Sequence, residues 1–165
     1  MMSVVPHATT LFVTYGRPQD LPVGRMPLPL QAALAYWQER AAGRRAPMSR
    51  DIDPFSDLPP EITPSIVLWQ TTGDEHGYVC TRAGAAVCDL AGRDMHGVTL
   101  EQLCWDNPQA VRQEFDGVAE TLLAHYVERS MEWTQYRDRS YSRLLLPVSD
   151  DGRSASMLLA SLALL

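Results

Sequence analysis

The sequence of 165 residues predicts an α+β domain: a five-stranded antiparallel sheet with short helices and one long helix on one face, plus an N-terminal helix. Three observations lead to this fold class. A hairpin pattern occurs at 66–80. Apolar residues recur about every 3.6 residues from 108 to 129, as in a helix, and about every two residues at 131–162, as in strands. The predicted order is two strands, short helices, a long helix and three strands.

The segment before the core at 65–165 is predicted to have three parts. Residues 1–27 contain four prolines and two glycines, so we expect an irregular arm, in which Leu11–Val13 is one short strand-like segment. An N-terminal amphipathic helix is predicted at 28–45, followed by a linker rich in proline and aspartate at 46–64.

The predicted core begins with a β-hairpin. The apolar run Ile66–Trp69 and the segment Tyr78–Cys80 flank a polar turn at Thr72–Gly77. Ala83–Leu90 is rich in alanine, which favours a short helix over a third strand. Another short helix is predicted at Val98–Leu103.

The long helix is predicted to begin at Asp106-Asn107-Pro108, where a capping residue precedes a proline at the first helical position. We expect it to continue to about Arg129, because apolar residues recur at helical spacing. This stripe consists of Val111, Phe115, Val118, Ala119, Leu122 and Tyr126.

Three strands are predicted after the long helix, at Met131–Tyr136, Tyr141–Val148 and Ser156–Leu162. The turn Asp150–Gly152 joins the last two into a hairpin. The last strand is an almost continuous run of apolar residues, so we expect it at the centre of the sheet, buried on both faces.

Charge and composition exclude several classes of protein. A net charge of −6 argues against a non-specific nucleic-acid binder. No run approaches the roughly 18 apolar residues of a membrane span, and the first residues lack the basic start of a secretory signal. Three cysteines without a CxxC pair suit a reducing compartment, so we expect a cytoplasmic protein that contacts neither membrane nor nucleic acid.

No catalytic or metal-binding motif is recognisable, and we therefore expect no enzyme. Cys80 and Cys88 are interpreted as small core residues. Arg137, Arg139 and Arg143 form a basic cluster, either a site for an anionic ligand or partner, or charges on the solvent side of a sheet.

Three segments resemble the PAS domain family. Tyr78–Gly97 is similar to the part of PAS domains where the second strand leads into the helices. The hairpin Arg143–Arg153, with the sequence RLLLPVSDDGR, and the helix Ala35–Arg40 are similar to a bacterial family of short stand-alone PAS-type proteins of unassigned function. The resemblance covers 30–162 and implies a PAS-like sheet and a sensory or regulatory module that binds a small ligand or a partner protein.

The resemblance also implies a cavity between the long helix and the sheet, of unknown ligand or cofactor. Its predicted ligand-binding residues are Phe115, Leu122, Trp133, Leu145 and Leu159 as walls, with His125 and Tyr126 as polar contacts at the rim. Two alternatives stay open: a sensor of haem or another cofactor that uses His125, and a small enzyme that uses Cys88 or His125.

A homodimer is predicted as the route by which a signal leaves the module. The sequence ends with the last predicted strand, so we expect output through contact with a second subunit or an unknown downstream protein. The N-terminal helix has an apolar stripe that needs a burial site, either on its own sheet or on a second subunit. The predicted dimer-interface residues are Leu30, Leu34, Trp37 and Ala41.

Overall fold

A computed structural model describes residues 9–103, 108–130 and 139–165. Within these ranges the chain forms six strands and four α-helices. In chain order they are β1 (Thr10–Gly16), α1 (Leu28–Ala41), α2 (Pro54–Asp57), β2 (Ile66–Thr71), β3 (Tyr78–Ala83), α3 (Ala85–Ala91), α4 (Pro108–Thr121), β4 (Ala124–Ser130), β5 (Ser140–Val148) and β6 (Met157–Leu164). In the described ranges no helix has the length and apolar character needed to cross a membrane.

The described strands form one antiparallel sheet in the order β1-β4-β5-β6-β2-β3. The predicted fold class is confirmed, and β6 lies at the centre between β5 and β2, with Leu158 and Leu159 both buried. The sheet has one strand more than the five predicted. Two of the six strands, β1 and β4, are not among the five predicted. β1 contains Leu11–Val13 and pairs with β4, so that β1 and β3 form the two edges of the described sheet.

Helices cover both faces of the sheet and make a three-layered domain. On one face, here called the α4 face, α3 and α4 pack around Trp69, Phe115 and Leu145. On the opposite face, here called the α1 face, α1 packs over Leu144 and Leu146. Successive residues of β5 therefore serve opposite cores, as the alternation of side chains along a strand requires.

The end of the long helix differs from the prediction. α4 ends at Thr121, Leu122 has a positive φ of 59°, and Ala124–Ser130 forms β4. The prediction of a helix to Arg129 is therefore wrong beyond Thr121. β4 is buried at 124–129 and so lacks the alternation that identifies a strand, and no glycine or proline marks the helix end. The strand predicted at Met131–Tyr136 lies outside the described residues.

The N-terminal region is more ordered than the irregular arm predicted for 1–27. In its described part, β1 is followed by 3-10 turns at Pro18–Asp20 and Val23–Arg25, which lead into α1. α1 ends at Ala41, earlier than the predicted 45, and the next residue, Ala42, adopts a left-handed conformation.

Candidate functional site

Four ionisable side chains meet between α4 and the sheet, and we call them the ion cluster: Glu114, His125, Arg129 and Arg143. Glu114 extends from α4, while the other three lie on the α4 face of β4 and β5. Glu114 Oε1 accepts hydrogen bonds from Arg129 Nη1 at 2.8 Å and from Arg143 Nη2 at 2.9 Å. Arg129 Nη2 also contacts Glu114 Oε2, so the Arg129–Glu114 pair is bidentate.

The ion cluster is buried. The side chain of Arg143 is 1% exposed and that of Glu114 is 15% exposed. Burial alone would raise the pKa of Glu114, but the hydrogen bonds and charges of Arg129 and Arg143 outweigh it and hold the pKa at about 2. Glu114 is therefore ionised at neutral pH and faces two arginines, both of which carry a permanent charge.

His125 is a neutral member of the ion cluster. Burial, together with the charge of Arg143, lowers the pKa of His125 to about 4. Its Nδ1 lies 3.2 Å from Arg143 Nη2, which can only donate, so Nδ1 accepts and the proton is on Nε2. Nε2 then faces Glu114 Oε2 at 3.5 Å.

This arrangement does not fit the haem alternative. An axial ligand requires a ring nitrogen with a free lone pair that points into an open pocket. In His125 the lone pair of Nδ1 is occupied by Arg143, and Nε2 is directed at Glu114. Moreover, His125 lies on β4 and not on the long helix, where the sequence pattern had placed it.

The enzyme alternative also gains no geometric support. Cys88 packs against the core of the α4 face, and within the described part of the chain no hydrogen bond links it to His125. Burial raises the pKa of the other described thiol, Cys80, to about 11, which keeps it protonated and unreactive at neutral pH.

Arg143 has donor groups that are not used within the described part of the chain. A guanidinium carries five N–H groups. Only Nη2 of Arg143 is occupied, by Glu114 and His125, whereas Nε and Nη1 are buried and have no hydrogen-bond partner among the described residues. The ring of Phe115 lies 5.6 Å from the guanidinium carbon and offers only its π face.

An open cleft of about 410 Å³ lies beside the ion cluster, between α4 and the strands β1 and β4. It is lined by Tyr15, Ala110, Gln113, Glu114, Gly117 and His125. Two of these residues, Glu114 and His125, contact Arg143 directly. The cleft is therefore separated from Arg143 by a single layer of side chains, those of Glu114 and His125.

Tyr15 joins the cleft to the edge of the sheet. Its hydroxyl donates to the carbonyl oxygen of Gly117 on α4 at 2.8 Å and also contacts Thr121 Oγ1. Its neighbours on the same face of β1, Leu11 and Val13, are 55% and 53% exposed. One side chain thus connects α4, the cleft and an apolar strand edge.

The predicted cavity residues divide between the two faces of the sheet. Phe115, Leu122 and Leu145 belong to the core of the α4 face, and none of the three lines the cleft, so their role as cavity walls stays a prediction. Leu159 belongs to the core of the α1 face. Within the described residues it therefore shares no cavity wall with the other three, and Trp133 lies outside them.

Tyr126 also lies on the α1 face, because it alternates with His125 along β4. Its hydroxyl donates to Glu128 Oε2 at 2.6 Å, and Arg25 pairs with the same carboxylate at 2.7 Å and 2.8 Å. Tyr126 is thus part of a second ion pair on the other side of the sheet, and of the two predicted rim residues only His125 lines the cleft.

The apolar stripe of α1 is buried within its own chain. Leu30, Leu34, Trp37 and Ala41 are at most 3% exposed, and the first three belong to the core of the α1 face. Trp37 Nε1 donates to the carbonyl oxygen of Pro147 on β5 at 2.7 Å. The structure thus uses the first of the two burial sites considered, and the homodimer stays a prediction.

Glu114 and Arg129 were missed by the sequence analysis, and Arg143 was considered mainly as a solvent-side charge. Arg143 is buried, Arg139 is exposed, and Arg137 lies outside the described residues. A signal existed for Glu114, which is three residues after Val111 and four before Val118 and so lies on the apolar stripe. A charge at such a position indicates a buried partner.

His125 makes stability depend on pH. Its pKa is about 4 in the folded chain, against 6.5 for an unperturbed histidine, so the unfolded chain binds more protons between these values. We therefore expect the free energy of unfolding to fall by up to ~3 kcal/mol as pH drops from 6.5 to 4. Urea titrations should show a smaller fall in His125→Gln than in wild type. Equal pH dependence in wild type and His125→Gln would contradict this.

Comparison with known families agrees with the architecture. A family model described as PAS domain matches residues 26–163, which include α1, most of both cores and the ion cluster but not β1. Searches of curated proteins and of solved structures found no match. The likeness to short bacterial stand-alone PAS-type proteins stays a prediction. Because the match covers most of the sequence, the chain belongs to the PAS domain family.

Proposed function

We propose that this chain is a sensory or regulatory module that binds a small ligand in the cleft between α4 and β1 and signals through contacts of the β1 edge with another chain. PAS domains are in general sensory modules, which supports the broad class. The observation that carries the specific proposal is Tyr15, which lines the cleft and bonds to α4 from an exposed edge strand.

The cleft has the composition of a small-molecule site. The ring of Tyr15, Ala110 and Gly117 offer apolar surface, while Glu114 and His125 offer polar groups at one end. Binding sites of this kind combine an apolar lining with a few convergent polar groups. A volume of about 410 Å³ suits a molecule of roughly ten to fifteen non-hydrogen atoms.

Signal output is proposed to pass through β1. A ligand that displaces the Tyr15 ring also breaks its hydrogen bond to Gly117, which ties β1 to α4. In the part of the chain that the structure describes, β1 pairs with β4 on one side only, and Leu11 and Val13 expose apolar side chains beside its other edge. A second copy of this chain is the partner we propose, because two identical edge strands can pair antiparallel about a twofold axis.

The cytoplasm is the compartment we propose. Cys80 and Cys88, the cysteines within the described residues, are free thiols. Free thiols persist where the compartment is reducing.

Gly117 allows a direct test of the cleft. A Cβ atom added there meets Tyr15 at 3.5 Å or more, which is ordinary contact, so Gly117→Ala is accommodated. Gly117→Leu extends further into the cleft and is expected to fill it. We expect ligands identified by thermal shift from a panel of small acids, amides, amines and alcohols to bind wild type and Gly117→Ala, but to lose at least about tenfold in affinity for Gly117→Leu.

The same samples also test whether ligand binding changes the contact between two copies of the chain. Light scattering with and without a ligand from the panel should show a change in subunit count that Gly117→Leu abolishes. Undiminished binding to Gly117→Leu, or no binding to wild type by any compound, would argue against the cleft as a site. Binding without a change in subunit count would argue against output through a second copy.

A further inference from the structure

The ion cluster contains one carboxylate fewer than its arginines require. Arg129 and Arg143 carry two positive charges, Glu114 carries one negative charge, and His125 is neutral in the tautomer that accepts from Arg143. Among the described residues, a net positive charge is therefore held between α4 and the sheet, with Arg143 only 1% exposed. A buried charge without a counter-charge is costly, and such charges normally have a partner.

The missing partner belongs at Arg143. Glu114 uses both of its oxygens for Arg129 and shares only Oε1 with Arg143. Arg143 keeps Nε and Nη1 free among the described residues, and these groups can only donate. An acceptor with a negative charge is the group that satisfies both the free donors and the excess charge.

The cleft supplies a path to this position. Glu114 and His125 line the cleft and also touch Arg143. A rotation of Glu114 away from Arg143 and toward Arg129 would open Arg143 to a ligand that enters from the cleft. The apolar lining by Tyr15 and Ala110 then accommodates the remainder of the molecule.

We infer that the ligand is a small monocarboxylate with an apolar body, whose carboxylate accepts hydrogen bonds from the free donors of Arg143, while Glu114 remains the partner of Arg129. The inference rests on the proposed function, because it assigns a ligand class to the same cleft. Two arginines would then face two carboxylates, and the charges would balance. A monoanion is favoured over a dianion, since a second negative charge beside Glu114 would be repelled.

The test compares two probes of the same shape, 3-phenylpropanoate and 3-phenylpropanamide, which differ in charge. Binding is followed by calorimetry and by the amide resonance of Gly117, which lines the cleft. We expect the acid to bind wild type at least about tenfold more tightly than the amide, because charge-assisted hydrogen bonds are the stronger ones. Inorganic phosphate, measured at a pH above its second pKa so that it is the dianion, should bind more weakly than the acid.

Arg143→Met is the matched variant. It leaves Glu114 paired with Arg129 in a neutral cluster and fills a similar volume, so we expect it to fold. It should bind the acid no better than the amide, whereas Arg139→Met, at an exposed arginine, should bind like wild type. Should Arg143→Met fail to fold, the comparison of acid, amide and phosphate on wild type decides alone.

The outcomes separate the two proposals. Three results would overturn the monocarboxylate inference and still leave the cleft as a ligand site. The acid and the amide could bind in the cleft with equal affinity, phosphate could bind more tightly than the acid, or a folded Arg143→Met could bind the acid as well as wild type does. Acid binding that leaves the Gly117 resonance unmoved and is undiminished in Gly117→Leu would overturn both.

Discussion

Replacing Glu114 by glutamine is expected to lower the free energy of unfolding by about 3–5 kcal/mol. The substitution preserves the shape of the side chain but removes the only negative charge that faces Arg129 and Arg143 among the described residues. Both arginines would then be buried without compensation, and breaking a buried ion pair by removing one partner has costs of this size. Urea denaturation at pH 7 measures the effect directly.

Glu120→Gln is the matched control for this prediction, because Glu120 lies exposed on the same helix. We expect it to change the free energy of unfolding by no more than about 0.5 kcal/mol. The double variant Glu114→Gln with Arg143→Met should recover part of the loss, since one of the two uncompensated charges is then absent. A loss below about 1 kcal/mol in Glu114→Gln, with an unchanged fold, would show that the ion cluster is solvated.

The sequence predicted the architecture wherever a period was visible. The hairpin of β2 and β3, the short helix α3 and the strands β5 and β6 all lie where apolar runs and turn residues placed them. β4 was not predicted, because both of its faces are buried and its residues continue the helical stripe through Tyr126. Periodicity fails for a strand that is buried on both sides, and here that strand carries His125 and Arg129.

The candidate site was less predictable because it depends on strand pairing. His125 pairs with Leu145 and Val127 with Arg143, which brings the charges of β4 and β5 onto one face. That register is a tertiary property, and a one-residue shift would send His125 to the opposite face. The charge of Arg143 was visible in the sequence, but its burial follows only from this pairing and from the position of α4.

Trp37→Ala is expected to lower the free energy of unfolding by about 3–5 kcal/mol, whether or not the protein forms a dimer. Trp37 is 2% exposed and lies in the core of the α1 face, where its indole nitrogen donates to Pro147 O at 2.7 Å. The substitution leaves a large cavity and an unsatisfied carbonyl oxygen. Domains have total stabilities of roughly 5–15 kcal/mol, so the loss should be plain in both urea and thermal unfolding.

Two controls separate core packing from subunit contact at this helix. Trp37→Phe retains much of the ring volume and should lose less than Trp37→Ala, while Leu28→Ala, at a residue 75% exposed in the first turn of α1, should change stability by no more than about 0.5 kcal/mol. Light scattering on the folded fraction reports the subunit count. If Trp37→Ala converted a wild-type dimer into a monomer of unchanged unfolding midpoint, Trp37 would be an interface anchor and not a core residue. The burial of Trp37 against β5 of its own chain predicts the opposite: any dimer is lost only together with the fold, because removal of this side chain separates α1 from the sheet that it covers.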